Sequence, residues 1–263
     1  MAQVRLERDG TVATLTLDRP EVLNALSVEL LGELTDRCEE LAHDDELRVV
    51  VLRGAGRGFS AGADLSTLSH LVEDGPQARA AAAAGDVAAS ALEALPQVTI
   101  AAIHGRCVGG AVVLAAACDL RIAADDTRFS IPEIDLGIPL AWGGVPRLLR
   151  ELPPAVVRDL VLTCREFDAA EAATLGLLSR VVPAGGFEAA VTDLATRLAA
   201  KSRLPVRATL DAVAAGLGIG APRGWSDADA LLSAVRDPES RAAGEAYVAR
   251  VLGQRDRDQE GEG

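Results

Sequence analysis

The sequence predicts an α/β protein in which stacked turns of strand, strand and helix are followed by an all-helical end. The first observation is that the same order of elements occurs twice, once near the amino terminus and again after Pro96, which indicates a repeating turn of the chain and not a single open sheet. The second is that strand patterns nearly vanish from Pro153 onward, where helical spacing dominates. We therefore expect a core at residues 1–195 and a helical domain at residues 196–263.

The first unit opens with two alternating strands, VRLERDG and VATLTLDRP, and the Asp9-Gly10 pair between them predicts a hairpin. The segment SVELLGELTDRCEELAHDD has apolar residues at helical spacing behind Ser27, which is a good helix N-cap. The continuous apolar run LRVVVLRGAG is typical of a strand buried on both faces. Strand, strand, helix and strand follow in that order.

The second unit repeats this order, with QVTIAAIHG as a strand, GGAVVLAAACD as a buried helix and LRIAADDTRFSIPE as a strand with an extended continuation. Between the units, the alanine-rich DGPQARAAAAAGDVAASALEAL predicts a helix through its high helix propensity; a mobile lid over a site is the alternative. The later helices are expected in three segments, which are PAVVRDLVLTCREFDAAEAATLGLLSRVVP, FEAAVTDLATRLAAKS and SDADALLSAVRDPESRAAGEAYVARVLGQR. The acidic tail RDRDQEGEG is expected to be disordered.

Composition excludes several classes of partner. The 263 residues are 49% hydrophobic and 25% charged, as in a globular protein, but only 3% aromatic, which disfavours stacking on nucleic-acid bases. A net charge of -13 repels nucleic acid and anionic membranes, so neither is expected as a partner. No apolar run reaches the ~20 residues of a membrane span, and the amino terminus lacks the pattern of a signal peptide, so a cytoplasmic location is expected.

Familiar catalytic motifs are missing from the sequence. The four cysteines form no CxxC pair and are expected to be reduced core thiols, so no metal site is predicted; they are Cys38, Cys107, Cys118 and Cys164. The three histidines lie on different elements and predict no catalytic pair; they are His43, His70 and His104. The run GAGRGF resembles a dinucleotide-binding loop, but its third glycine is misplaced. The hypothesis of a dinucleotide-binding oxidoreductase rests on this near-match alone.

Two stretches place small residues where a helix is expected to begin, FSAGADL at 59–65 and HGRCVGGAVVLAAACDL at 104–120. Such residues let a ligand reach backbone N–H groups, although tight helix packing would use them equally well. The candidate acid is Glu133 in FSIPEIDLGIPLAWGG, because an apolar setting raises a carboxyl pKa and suits it to proton transfer; a surface acid is the alternative. Asp135 is expected to face the other way in an extended segment, which leaves one working acid.

These residues carry a resemblance to the crotonase, or enoyl-CoA hydratase/isomerase, superfamily. It rests on five motifs in the family's order: DRPEVLNAL, RVVVLRGAGRGFSAGADL, HGRCVGGAVVLAAACDLRIA, FSIPEIDLGIPLAWGGVPRL and AAEAATLGLLSRVV. The resemblance implies a crotonase-type spiral of ββα turns with a C-terminal helical trimerisation domain, and hence a homotrimer or a dimer of trimers.

The resemblance also implies a substrate and a site. The substrate is an acyl-CoA thioester, so that coenzyme A arrives with the substrate and no tightly bound cofactor is expected. The backbone N–H groups of Ala63 and Gly110 correspond to the family's oxyanion hole. Five residues match CoA-contacting positions: Val22, Ala61, Gly62, Asp64 and Leu65. Four arginines are candidate partners of the CoA phosphates: Arg19, Arg57, Arg250 and Arg255.

One departure from the family pattern concerns the acids. Hydratases of the family carry two glutamates, and this sequence keeps the second as Glu133 but has Val113 at the first position. The resemblance predicts hydration of a 2-enoyl-CoA through an enolate. Two alternatives stay open, a double-bond isomerase that uses Glu133 alone and a catalytically silent acyl-CoA-binding protein.

Overall fold

The computed structural model describes residues 2–64, 76–218, 237–240, 242–243 and 246. The chain divides into two compact units, Met1–Ala199 and Ala200–Gly263. The second unit contributes one complete helix to the described residues, and its predicted role in trimerisation stays a prediction.

A six-stranded sheet forms the frame of the first unit. Its first two strands pair antiparallel as the expected hairpin, and the remaining neighbours are parallel. In order across the sheet, the strands are β1 (Val4–Asp9), β2 (Val12–Leu17), β3 (Val49–Gly54), β4 (Val98–Ile103), β6 (Leu120–Ala124) and β9 (Arg180–Val182). The apolar runs of β3 and β4 are buried along almost their whole length, as expected for central parallel strands.

A second, three-stranded sheet arises because the chain turns sharply after β4. At Gly105 φ is +59°, and a Cβ atom there would lie 2.1 Å from the carbonyl oxygen of Arg57, so only glycine fits. The chain then enters the smaller sheet, which consists of β5 (Arg106–Val108), β7 (Arg128–Ser130) and β8 (Phe167–Asp168).

Helices complete each turn of the spiral. In the first unit they are α1 (Val28–Ala42), α2 (Pro76–Glu93), α3 (Gly110–Ala116), α4 (Gly144–Glu151), α5 (Pro154–Thr163), α6 (Ala169–Leu175) and α7 (Phe187–Ala199). The second unit contributes α8 (Arg203–Gly216). The order strand, strand, helix recurs as β1-β2-α1, β4-β5-α3 and β6-β7-α4, which confirms the predicted ββα repeat. Ser27 caps α1 as expected, since its hydroxyl accepts from the Leu30 N–H at 3.2 Å.

The expectation that strands nearly vanish after Pro153 is correct for most of the described residues in this part of the chain, but two short strands interrupt the first of the predicted helical segments. Helix α5 ends at Thr163, since the following Cys164 has a left-handed φ of +53°, and the predicted single helical segment gives way to β8, α6 and β9. Asp168 starts α6 by accepting from the Glu171 N–H at 2.8 Å. These strands are only two and three residues long, so they leave no alternating pattern in the sequence.

Several expectations concern residues without a described structure. The acidic tail and almost all of the last predicted helix lie outside the described residues. Among the helices that are described, none is long and apolar enough to cross a bilayer. All four cysteines are free; three are buried, and burial raises the pKa of the Cys38 thiol to about 12.

Candidate active site

The fold brings the two small-residue stretches side by side. Ser60 pairs with Cys107 in an isolated parallel bridge. The Ser60 N–H donates to the Arg106 carbonyl at 3.0 Å, and the Val108 N–H donates to the Ser60 carbonyl at 3.1 Å. The two candidate N–H stretches are therefore neighbouring strands of backbone, as a shared site requires.

The peptide of Ala63 is oriented by its neighbours on the other side. The Leu26 N–H donates to the Gly62 carbonyl at 2.8 Å, and the Leu26 carbonyl accepts from the Asp64 N–H at 3.0 Å. Because successive N–H groups of an extended chain alternate in direction, the Ala63 N–H points away from Leu26, and Ala63 lines a cavity. Within the described part of the chain, no hydrogen bond is made by this N–H group.

The glycines of both stretches are required by close contacts. At Gly62 φ is +85° and a Cβ atom would lie 2.5 Å from the Val108 carbonyl oxygen. Gly109 has φ +52°, and its N–H donates to the Ser130 carbonyl at 2.8 Å, which fixes the start of α3. A Cβ atom at Gly110 would lie 2.1 Å from Cζ3 of Trp142, so the space beside this glycine holds an aromatic ring. Tight packing therefore demands small residues at these positions.

The cavity has a volume of about 180 Å³ and is almost entirely apolar. Among the residues described, Glu133 and Asp64 are the carboxylates in its wall. The Asp64 carboxylate is paired with Arg19 at 2.9 Å, and Arg19 also donates to the Ala25 carbonyl at 2.6 Å. The remaining wall is built from Leu26, Val28, Leu31, Ala63, Ala81, Ala82, Gly110, Ile138, Pro139, Leu140, Ala141 and Trp142. Of these two carboxylates, Glu133 is therefore the one without a cationic partner in the described part of the chain.

Glu133 has the environment of a proton-transfer group. Its residue is 8% exposed, and its buried Oε2 atom finds no hydrogen-bond partner among the residues described. Burial raises the pKa of the carboxyl above its usual 4.5, and the backbone N–H groups of Glu133 and Gly110 partly oppose that rise. The pKa of this carboxyl is therefore closer to neutral pH than the pKa of an exposed glutamate, as an acid–base catalyst requires.

Asp135 is exposed and does not line the cavity, so it lies apart from Glu133. The expectation of an extended segment was wrong, because the segment is a turn. The Leu136 N–H donates to the Pro132 carbonyl at 3.1 Å, and the Ile138 N–H donates to the Glu133 carbonyl at 3.0 Å. The coil of the turn, and not strand alternation, separates the two carboxylates.

Apolar side chains occupy the region of the family's first glutamate. Val113 is fully buried in α3 and is not part of the cavity wall. A Cβ atom at Gly144 would lie 2.7 Å from Cγ of Leu140 and 2.8 Å from Cγ2 of Val113. Leu140 itself faces the cavity, so the described side chains in this region include no second carboxylate and no polar partner for one.

Trp142 and Arg147 complete this side of the site, and Arg147 is the one of the two that the sequence did not single out. Trp142 has a left-handed φ of +56°, and its carbonyl accepts from Arg147 Nη1 at 2.6 Å. The Arg147 guanidinium is buried and also donates to Asp86 at 2.8 Å and to Glu93 at 3.0 Å, both on α2. The available signal was Gly85, a single glycine in an alanine run, whose Cβ atom would lie 1.9 Å from Cδ2 of Trp142.

The predicted CoA-contacting residues are only partly gathered at the cavity. Asp64 lines it, whereas Val22, Ala61 and Gly62 do not. Val22 is 43% exposed at the end of a short 3-10 turn, Pro20–Val22. The position of Leu65 lies outside the described residues.

Of the arginines considered for the CoA phosphates, Arg19 is engaged with Asp64 and Arg57 is exposed. Arg250 and Arg255 lie outside the described residues. A further residue, Asn24, holds the loop before the first stretch, since its side-chain amide donates to the carbonyls of Ala55 and Gly58, each at 2.9 Å.

Sequence comparisons connect this geometry with known proteins. A family model described as enoyl-CoA hydratase/isomerase matches residues 7–248. A Mycobacterium bovis protein named "Probable enoyl-CoA hydratase" is 38% identical over 211 residues, which is 80% of this chain and 80% of that protein. A peroxisomal Delta(3,5)-Delta(2,4)-dienoyl-CoA isomerase of Arabidopsis thaliana is 35% identical over 217 residues, or 78% of each chain.

Solved structures share the fold over nearly the whole chain. The crystal structure of an enoyl-CoA hydratase/carnithine racemase from Magnetospirillum magneticum has a TM-score of 0.87 and 33% sequence identity, and the match covers 95% of this chain and 94% of that one. This likeness confirms the predicted spiral of ββα turns.

Proposed function

Since the chain belongs to the enoyl-CoA hydratase/isomerase family, we propose that it moves a proton on the acyl group of an enoyl-CoA thioester. Glu133 is the acid–base catalyst, and the N–H groups of Ala63 and Gly110 form the oxyanion hole. The observation that carries the proposal is a buried carboxylate, without a cationic partner among the residues described, in an apolar cavity that both of these backbone positions also line.

The two N–H groups would act on the thioester oxygen. Removal of a proton next to a thioester places negative charge on that oxygen, and each preorganised donor typically contributes roughly 3 kcal/mol to the transition state. Gly110 also interacts with the Glu133 carboxylate, where its N–H group lowers the pKa. A thioester oxygen that takes over this N–H group would leave Glu133 a stronger base when substrate is bound.

The geometry favours isomerisation of the double bond. One group suffices for that reaction, because it removes a proton from one carbon and returns it to another. Val113 and Leu140 fill the region of the second acid with apolar side chains, which supports chemistry by one carboxylate.

Hydration of a 2-enoyl-CoA, the reaction that the resemblance predicts, is the second candidate. The hydratase names of several relatives favour it, among them a crotonyl-CoA hydratase of Syntrophomonas wolfei that is 33% identical over 228 residues, covering 86% of this chain and 87% of that protein. In that case Glu133 would have to activate water and also supply the proton. A silent binding protein is disfavoured by the retained, buried Glu133.

Ultraviolet absorbance of the conjugated thioester separates these candidates. An isomerase converts a 3-enoyl-CoA into the conjugated 2-enoyl-CoA and raises the absorbance, whereas a hydratase removes the conjugation of a 2-enoyl-CoA and lowers it. We expect the rise with 3-enoyl-CoA. Tight binding of acyl-CoA without a change on any enoyl-CoA would contradict the proposal and favour the silent binding protein. The trimeric or hexameric state and the cytoplasmic location stay predictions from the sequence.

A further inference from the structure

We propose that Trp142 limits the acyl group to short chains and that Arg147 is the positioning residue that holds it in place. The inference rests on the proposed function, because it names the substrate class of that same cavity. A cavity of about 180 Å³ is slightly larger than one that holds benzene, so it accommodates an acyl group of roughly four to six carbons.

The ring of Trp142 lies where an acyl chain would have to pass. Trp142 lines the cavity together with Gly110, and the contact is close, since a Cβ atom at Gly110 would lie 2.1 Å from Cζ3 of the ring. The same ring packs against Gly85 of α2, where a Cβ atom would lie 1.9 Å from Cδ2. The indole therefore fills the space that two missing side chains leave beside the proposed oxyanion donor.

The position of Trp142 is fixed from several directions. A φ of +56° is rare for a side chain of this size and persists only where the surroundings impose it. Arg147 supplies that restraint, because one guanidinium binds the Trp142 carbonyl at 2.6 Å and the Asp86 and Glu93 carboxylates of α2 at 2.8 and 3.0 Å. The guanidinium thereby ties the backbone of Trp142 to the helix that carries Gly85.

A smaller residue at position 142 would lengthen the cavity. Without the indole, the backbones of Gly85 and Gly110 would border a gap that opens into the existing cavity, and both are glycines with no side chain to fill it. Burial of alkyl carbons in such a space lowers the free energy of binding, so longer acyl chains should bind more tightly while the affinity for short chains should not increase.

Binding of saturated acyl-CoAs tests the proposal without turnover. Dissociation constants of butanoyl-CoA and decanoyl-CoA are measured by calorimetry for the full chain, for Trp142→Ala and for Trp142→Phe. We expect the native chain to prefer butanoyl-CoA, and Trp142→Ala to bind decanoyl-CoA at least about tenfold more tightly than the native chain does. Trp142→Phe keeps a smaller ring at this position and provides a second test in case Trp142→Ala does not fold. Its affinity for decanoyl-CoA should fall between those of the native chain and Trp142→Ala.

Val145→Ala is the matched control, since Val145 belongs to α4, is 37% exposed and lies outside the cavity wall. Equal affinity of the native chain for both ligands, or an unchanged ratio in both Trp142 variants, would overturn the inference and leave the proposed function standing. Failure of every acyl-CoA to bind the native chain would overturn the proposed function, and the inference with it. Arg147→Lys, which keeps the charge but loses the forked contact, should shift the ratio in the same direction as Trp142→Ala.

Discussion

Gly109 lies directly against the carboxylate of Glu133: a Cβ atom at this glycine would be 2.3 Å from Oε1. The next residue, Gly110, supplies an N–H group that lowers the pKa of the same carboxylate. One backbone turn therefore sets the position of both the proposed base and one proposed oxyanion donor. The bond from the Gly109 N–H to the Ser130 carbonyl, at 2.8 Å, ties this turn to the strand that precedes Glu133.

Replacement of Glu133 by glutamine should abolish turnover and leave ligand binding intact. The amide has nearly the same shape but cannot accept and return a proton, and a positioned acid–base group typically contributes 10²- to 10⁴-fold. We expect kcat on enoyl-CoAs to fall by roughly that factor while the Kd of a saturated acyl-CoA changes little. Asp135→Asn is the matched control, because this carboxylate belongs to the same turn but is exposed. Full activity of Glu133→Gln would remove Glu133 from the mechanism.

The pH dependence of the rate should report the raised pKa of Glu133. Only the ionised carboxylate can remove a proton, so kcat/KM should fall as the pH decreases through the pKa of Glu133 in the free enzyme. Since burial raises this pKa above 4.5, the acidic limb should lie at higher pH than an exposed glutamate would give. A pH–rate profile measured with the native chain and with Asp135→Asn checks this. A limb at the ordinary glutamate pKa would contradict the assignment.

The raised pKa of Glu133 also predicts that the free energy of unfolding decreases as the pH rises, whereas kcat/KM increases over the same range. Below the pKa of the unfolded chain, Glu133 is protonated in both states and its burial carries no charge penalty. Between the two pKa values the unfolded chain has lost this proton but the folded chain still binds it, so the free energy of unfolding decreases as the pH rises. Above the raised folded-state pKa the carboxylate is charged while buried, and the stabilising effect of the bound proton is lost completely. Glu133→Gln should therefore be more stable than the native chain at pH 7, and the difference should shrink toward low pH. Urea unfolding at several pH values measures it, and a difference independent of pH would contradict the raised pKa.

Sequence patterns predicted most of the frame because β1 to β4 and α1 to α3 carry long alternating, helical or continuous apolar signals. The strands β8 and β9 were missed because pairing with distant strands, and not local pattern, stabilises them. The segment after Glu133 was expected to be extended as the continuation of the preceding strand, whereas its internal N–H to carbonyl bonds close it into a turn.

The sequence predicted those parts of the candidate site in which the local backbone requires one residue type. It did not predict the parts that depend on contacts between residues far apart in the chain. Gly62 and Gly110 stand out in the sequence, and the structure brings them together. The contact of Arg147 with Asp86 joins residues 61 positions apart, and no local pattern announces it. Gly85 is a local signal of the contact with Trp142, because glycine costs about 1 kcal/mol relative to alanine inside a helix and needs a reason there.

Gly62→Ala should reduce activity through the oxyanion hole. The new Cβ atom would lie 2.5 Å from the Val108 carbonyl oxygen, so the backbone that carries the Ala63 N–H must move. Loss of one donor typically lowers kcat by roughly 10²- to 10³-fold. Gly137→Ala is the control, because Gly137 shares the positive φ, at +74°, but has nothing within 4 Å of its Cβ position. If both variants lose activity equally, backbone strain alone explains the loss.

Insertion of the family's first glutamate should fail in this chain unless space is made for it. In Val113→Glu the carboxyl would enter a fully buried position beside Leu140 with no polar partner, which should lower the free energy of unfolding by about 3 kcal/mol. Hydration of 2-enoyl-CoA should not increase, because Leu140 and not Val113 faces the cavity.

The double variant Val113→Glu with Leu140→Ala removes the side chain that separates position 113 from the cavity. It should recover part of the lost stability, since the carboxylate can then reach the cavity, and it should hydrate 2-enoyl-CoA faster than the native chain. Val113→Ala with Leu140→Ala keeps the enlarged space without the acid and serves as the control. Stability is read from urea unfolding, and hydration from the loss of conjugated absorbance. If Val113→Glu alone hydrated 2-enoyl-CoA faster and kept its stability, position 113 would already reach the cavity, and the argument for chemistry by Glu133 alone would fall.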